Sequence, residues 1–161
     1  MKTKANSILI LAVLVLVCFL GTAKGATDSV TALVQGGSIG EFVDTPHAFT
    51  SSGFSDFAVD VKIRDDGSAF GEFICAVQGW GVFTGVAHTG QINSNGTVTI
   101  RGVESGYDFM LGGGFTDCPF TVVLHAGGPG VGWFQLRDCA FPAGKFDTEK
   151  VSIGTIYITQ F

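Results

Sequence analysis

Opposed carboxylates, three histidines and three thiols beyond residue 25 are the groups whose types and spacing could do chemistry. In FAVDVKI, residues 57–63, alternation places Phe57, Val59, Val61 and Ile63 on one face and Asp60 and Lys62 on the other. A three-residue turn at Asp65, Asp66 and Gly67, with Gly67 left-handed, sets Val59 opposite Phe73, Phe57 opposite Cys75 and Asp60 opposite Glu72. Facing carboxylates serve glycosidases as acid and base. On the wet face of a hairpin, with Lys62 adjacent, Asp60 and Glu72 read instead as a solvated pair.

His47, His88 and His125 lie in different elements and lack the short ligand spacing of a zinc motif, so no metal site is expected of them. Asp65 and Asp66 are turn formers without the DxDxDG spacing of a calcium loop. No GxSxG elbow occurs and no cofactor motif is present, so neither a catalytic residue nor a cofactor is assigned. Asn95, Gly96 and Thr97 form a glycosylation sequon that turn chemistry alone also explains. Cys75, opposite Phe57 and with no basic neighbour in EFICAV, reads as a small buried hydrophobe rather than a nucleophile. Trp80, Trp133, Tyr107 and the phenylalanines are either core or a platform for sugar rings or apolar ligands.

The glycine cluster AGGPGVGWF, residues 126–134, would suit a phosphate if a helix came after it, because helical N-terminal amides hold the anion. The cluster runs instead into VGWFQLR, a second strand, so the glycines reverse the chain. Cys118 and Cys139 then lie at equal distances from the tip, which points to a Cys118–Cys139 disulfide. The symmetric register mixes Phe120, Val122 and Leu124 with Arg137, Gln135 and Trp133. A shift that matches Phe120 and Val122 with Leu136 and Phe134 loses the cysteine alignment. A bulge near the cysteines or in the glycine loop would reconcile the two requirements.

These groups must be positioned by strands. Beside FAVDVKI, alternating or apolar runs occur in SVTALVQGG, SIGEFV, WGVFTGVAHTGQI, TVTIRGV, YDFML, PFTVVLH, VGWFQLR and KVSIGTIYITQF, with Thr45 to Gly53 as a loop. Hairpin spacing predicts an all-β antiparallel up-and-down barrel or strongly curled sheet of about eight or nine strands, with a β-sandwich as the alternative. Glycines within strands favour the curled sheet, because they relieve crowding where it bends. KVSIGTIYITQF, apolar on both faces in its second half, suits a central or barrel-closing strand. The inward faces of these runs show almost no polar residues, as in a filled structural module.

The first residues, MKTKANSILILAVLVLVCFLGTAKG, have the charged, apolar and small-residue regions of a secretory signal peptide over residues 1–25, leaving 26–161 as a single domain. No later apolar run is long enough to span a membrane as a helix. The net charge of −5, more negative once Lys2, Lys4 and Lys24 are removed, argues against nucleic acid as a partner. Export would place the domain in an extracellular, periplasmic or cell-surface setting where disulfides form.

GGSIG, DDGSAFGEFIC, NGTVTIRG, FTVVLHAGGPGVGWFQL and FDTEKVSIGTIYI together resemble a group of small exported bacterial β-domain proteins over residues 36–158. That pattern combines a Gly-Gly-x-Ile start, a GGPG or DNGEPG hairpin, an Asp-Thr segment and a closing GxIxI strand. The resemblance implies a secreted single-domain β-protein and no transferable activity. This chain departs from it at Ala126-Gly127-Gly128, where members often carry an acidic tip. The expectation is a secreted, non-enzymatic binding or structural module of unknown extracellular ligand. The rival is a barrel carrier or enzyme with a small apolar ligand inside.

Overall fold

Eight antiparallel strands follow one another around a closed ring in the computed structural model, which describes residues 29–43, 53–109, 112–139 and 148–161. They are β1 (Val30–Phe42), β2 (Phe54–Arg64), β3 (Ala69–Val77), β4 (Gly81–Ile92), β5 (Val98–Asp108), β6 (Gly113–His125), β7 (Trp133–Arg137) and β8 (Glu149–Gln160). Each pairs with its neighbours in sequence, and β8 returns to β1 as its sequence suggests. The leader expected at residues 1–25, Pro46 and His47 lie outside the described residues.

Register follows apolar parity. In β2 and β3, Val59 faces Phe73, Phe57 faces Cys75 and Asp60 faces Glu72, as the Asp-Asp-Gly turn requires. The Ser68 hydroxyl and amide hold the Asp66 carboxyl below the usual carboxylate range, which fits a turn former. Phe57, Phe73, Phe120 and Phe134 meet inside the ring, with centroids 4.2 Å apart for Phe57 and Phe134 and 4.7 Å for Phe73 and Phe120. An eight-stranded barrel is just wide enough for such side chains to fill it. A Cβ on Gly85 would stand 2.1 Å from the Phe73 ring, so the glycine makes room for that ring. The outward rows carry Asp56, Asp60, Lys62, Glu72 and Arg101, all exposed. The inward rows are mainly apolar, while the outer wall mixes these charges with exposed Phe70, Ile74, Val82, Val86, Ile153 and Tyr157.

Two irregularities change parity. Between β1 and β8, Ile39 pairs with Ile153 and Gly40 with Val151, leaving Ser152 as an extra residue whose hydroxyl donates to the Ile39 carbonyl at 3.0 Å. Val151 and Ile156 therefore both point inward, although they are five apart, while Ile153 and Tyr157 face out. Between β5 and β6, Glu104 pairs with Cys118 but Gly106 with Phe115, and Asp117 in this bulge has φ 56°.

The ring closes at its shortest strand. β7 makes only two pairs with β8, Trp133 with Lys150 and Phe134 with Glu149. The glycine segment before it extends the seam. The Gly127 amide donates to Ile156 O, the Ile156 amide to Gly127 O, the Gly130 amide to Val151 O and the Val151 amide to Gly132 O, at 2.9 to 3.0 Å. A Cβ on Gly132 would lie 2.2 Å from Gly127 O, so only glycine permits this approach. Residues 126–132 therefore reverse the chain and also complete the barrel wall.

Candidate functional site

Buried polar side chains gather at both ends of the barrel, and the ends differ. At the end framed by the turns at 65–68 and 93–97, the polar groups satisfy one another. Asn93 Nδ2 donates to Thr97 Oγ1 at 2.8 Å and to Thr99 Oγ1 at 2.9 Å, while Thr97 Oγ1 donates to Asn95 Oδ1 at 2.7 Å. That network also explains the sequon as turn chemistry.

The opposite end collects acids. Ser55 at the start of β2, Glu104 and Asp108 near the end of β5, Asp138 just past β7 and Glu149 at the start of β8 are all buried there, on elements that come together only in the ring. This corrects the expectation that inward faces carry almost no polar residues. Ser55 Oγ donates a hydrogen bond to Glu149 Oε2. Gly40 leaves the space that the Glu149 carboxylate and the Phe134 ring occupy, since a Cβ there would lie 2.8 and 2.9 Å from them.

The disulfide organises the rest. Cys118 and Cys139 are bonded with Cα atoms 5.6 Å apart. The β6 and β7 register is neither of the two expected from sequence: Val122 faces Leu136 and Leu124 faces Phe134, an offset of one residue in the other direction. Apolar faces still match. The cysteines meet because the chain leaves the ladder after Arg137 and because the bulge at Asp117 adjoins Cys118. Asp138 continues the inward row of Phe134 and Leu136, and ligand-capable atoms of Glu104, Cys118 and Asp138 lie within 4.8 Å of one another.

Glu104 is 1% exposed, and neither of its carboxyl oxygens meets a hydrogen-bond donor among the described residues. Burial first, then the Asp138 charge and a carboxyl-to-carboxyl contact, raise its pKa from 4.5 to about 9. At neutral pH the Glu104–Asp138 pair therefore holds a proton, and that proton makes their contact attractive. Cys75 is buried and free, as expected from its place opposite Phe57. Burial pushes its thiol well up, Glu149 and Glu104 add to that, a hydrogen bond with Ser55 opposes it, and Asp138 adds the remainder. Such a thiol is not a nucleophile. Its surroundings also show that the three carboxyls share one region.

Asp60 and Glu72 pair in register on the outer wall, both exposed, with Gln35 Nε2 donating to Asp60 Oδ1 at 3.2 Å. Lys62 reaches over the Phe70 ring rather than between them. His88 faces solvent, and His125 stacks on Trp133 with centroids 5.8 Å apart, so these two histidines form no common site. Trp80 packs partly buried against the core beside the acidic end, whereas Tyr107 is exposed. Depressions mark the outer wall, one of about 320 Å³ beside Asp60 and Glu72 and two others. One of about 400 Å³ is apolar, lined by Ile39, Ala58, Ile74 and Ile153 among others. The second, about 260 Å³, lies between β6 and β7 and includes Phe120, Arg137, Asp138 and Cys139. Asp138 thus borders both a surface depression and the interior acid cluster.

Fold and site define an up-and-down β-barrel with an apolar interior and one acidic end. Comparison with protein-family models, with characterised proteins and with solved structures finds no match. Among the described residues no helix is long and apolar enough to cross a membrane.

Proposed function

We propose that this chain is an exported binding barrel that takes a small, largely apolar molecule at its acidic end without transforming it. The observation that supports this is the concentration of buried acids at one end, with Glu104 lacking a donor, above an otherwise apolar, aromatic interior. Pockets that fix small ligands have this composition, a hydrophobic lining with a few convergent polar groups. A purely structural filling would pair its polar groups. Export agrees with the leader-like first 25 residues, the acidic composition and the disulfide.

Trp80 reports on this end. In a Trp133→Phe variant, titration with short-chain neutral, cationic and anionic amphiphiles should shift or quench Trp80 emission for at least one class. Emission unchanged by every class at millimolar concentration would refute the proposal.

A further inference from the structure

Two adjacent pairs of side chains at the acidic end make a set of metal ligands. Glu104 on β5 stands opposite Cys118 on β6 in the ladder, and Asp138 and Cys139 are consecutive just past β7. Ligand atoms of Glu104, Cys118 and Asp138 lie within 4.8 Å of one another, all on buried side chains. Cys139 joins them through its bond to the Cys118 sulfur. Tetrahedral zinc, with bonds of about 2.3 Å to sulfur and about 2.0 Å to oxygen, holds its ligand atoms roughly 3.3 to 3.8 Å apart.

We infer that the dithiol form of this protein holds a zinc ion, or a similarly thiophilic divalent ion, between Cys118, Cys139, Glu104 and Asp138, in a site that the Cys118–Cys139 disulfide abolishes. The inference goes beyond the small-ligand reading and needs no cavity, because a single ion takes the place of a proton between two carboxyls already in contact. Three observations carry it. Glu104 is 1% exposed and neither of its oxygens meets a donor among the described residues, so an acceptor is aimed into the cluster against the Asp138 carboxyl. The Cys139 amide donates to Cys118 Sγ at 3.0 Å, which places a donor where it stabilises charge on a thiolate ligand. The depression lined by Thr121, Arg137, Asp138 and Cys139 leads from solvent to the cluster, and Cys139 is itself exposed, so an ion and an oxidant have a way in. Magnesium and calcium take oxygen ligands alone, whereas thiolates select zinc.

The chain is synthesised with both thiols reduced, so metal binding comes first. The ion forms two bonds to sulfur and two to oxygen, and the two thiol protons and the proton between the carboxyls pass to the buffer. A disulfide oxidant then accepts two electrons from the sulfurs. The Sγ–Sγ bond forms, the oxidant's own S–S bond breaks to give two thiols with protons from solvent, one proton returns to the carboxyl pair and the ion leaves. The described structure, with its disulfide, is the metal-free end of this exchange.

The test is equilibrium dialysis of the purified protein against zinc, after reduction with a phosphine under argon and in the oxidised form. The reduced protein should retain one zinc per chain and bind it at least about 100-fold more tightly than the oxidised protein. Cobalt in place of zinc should show the thiolate charge-transfer band and the intense ligand-field bands of a tetrahedral site. Glutathione disulfide should release the zinc as the thiols disappear. Glu104→Gln and Asp138→Asn, which leave both thiols, should each weaken binding by at least about tenfold, and Cys75→Ala should bind as the parent does. If reduction unfolds the chain, zinc should restore the near-ultraviolet circular dichroism of the oxidised protein, since the ion binds the folded state. Equal binding by the two redox forms, no zinc on the reduced form, or loss of zinc from a folded Cys75→Ala variant would overturn the inference. So would affinity unchanged in both carboxyl variants, which would mean chelation by the thiols alone.

Discussion

Replacing Glu104 by Gln should stabilise this protein at neutral pH, the opposite of what most buried substitutions do. The amide has the shape of the acid and cannot ionise. In the folded barrel Glu104 is raised from 4.5 to about 9 by burial and by Asp138, so the native chain keeps a proton that the unfolded chain surrenders above pH 4.5. With more protons bound in the native state, stability is greatest below that value and is lost as pH rises toward about 9. A fully linked proton is worth about 1.4 kcal/mol per pH unit, so at pH 7.5 the ceiling on the loss is about 4 kcal/mol. Sharing of the proton with Asp138 and relaxation of the site bring the expected gain for Glu104→Gln to about 2 kcal/mol at pH 7.5, or about 6 °C in Tm. At pH 4.5 the two proteins should agree within about 0.5 kcal/mol. Urea unfolding followed by tryptophan emission at pH 4.5, 6 and 7.5 measures the difference, and titrating groups remote from the Glu104–Asp138 pair cancel between the two chains. A variant less stable than its parent at pH 7.5, or a difference that does not grow with pH, would show that Glu104 is not a neutral acid in the fold.

The same geometry sets other outcomes. Peptide mapping without reduction should link Cys118 to Cys139 and leave Cys75 free, and opening this 21-residue loop should cost about 3 kcal/mol; Cys75 found in a bridge would contradict the structure. Cys75 itself should resist Ellman's reagent in the native protein and react on unfolding, because its thiol is buried among acids. Gly132→Ala, which drives a Cβ into Gly127 O, should destabilise by at least about 3 kcal/mol and speed amide exchange at Val151 and Ile156, whereas Gly130→Ala, facing open space at φ 76°, should cost about 1 kcal/mol. N-terminal sequencing of exported protein should begin near Ala26; a chain retaining Lys2 would refute the leader.

Much of the barrel was legible because parity and turns are local. FAVDVKI and the Asp-Asp-Gly turn carry enough information to place Phe57 against Cys75, and the glycines within strands announce the curvature. The acidic end was less legible, although a signal existed. Ser55 continues the inward row of Phe57 and Val59, Glu104 continues Ile100 and Gly102, and Glu149 precedes Val151 by two. Extending each strand by a turn of the pleat would have exposed them. Asp138 carried the same signal, since it continues the inward row of Phe134 and Leu136, although it lies just past the end of β7. The β6 and β7 register was also out of reach, because two opposite offsets both keep one face apolar.

By itself the sequence determined an all-β chain of short antiparallel hairpins, the pairing within the first of them and the partners Cys118 and Cys139. These depend on neighbours close in the chain or on alternation with a period of two. Only the tertiary structure decided that the sheet closes, because closure needs β8 to meet both β1 and the backbone of residues 127–132. Closure in turn brings Ser55, Glu104, Asp138 and Glu149, up to 94 residues apart, to one end of the ring. An isolated carboxylate in a strand behaves ordinarily in water, and its proton affinity changes only when folding removes the solvent and places a second acid beside it.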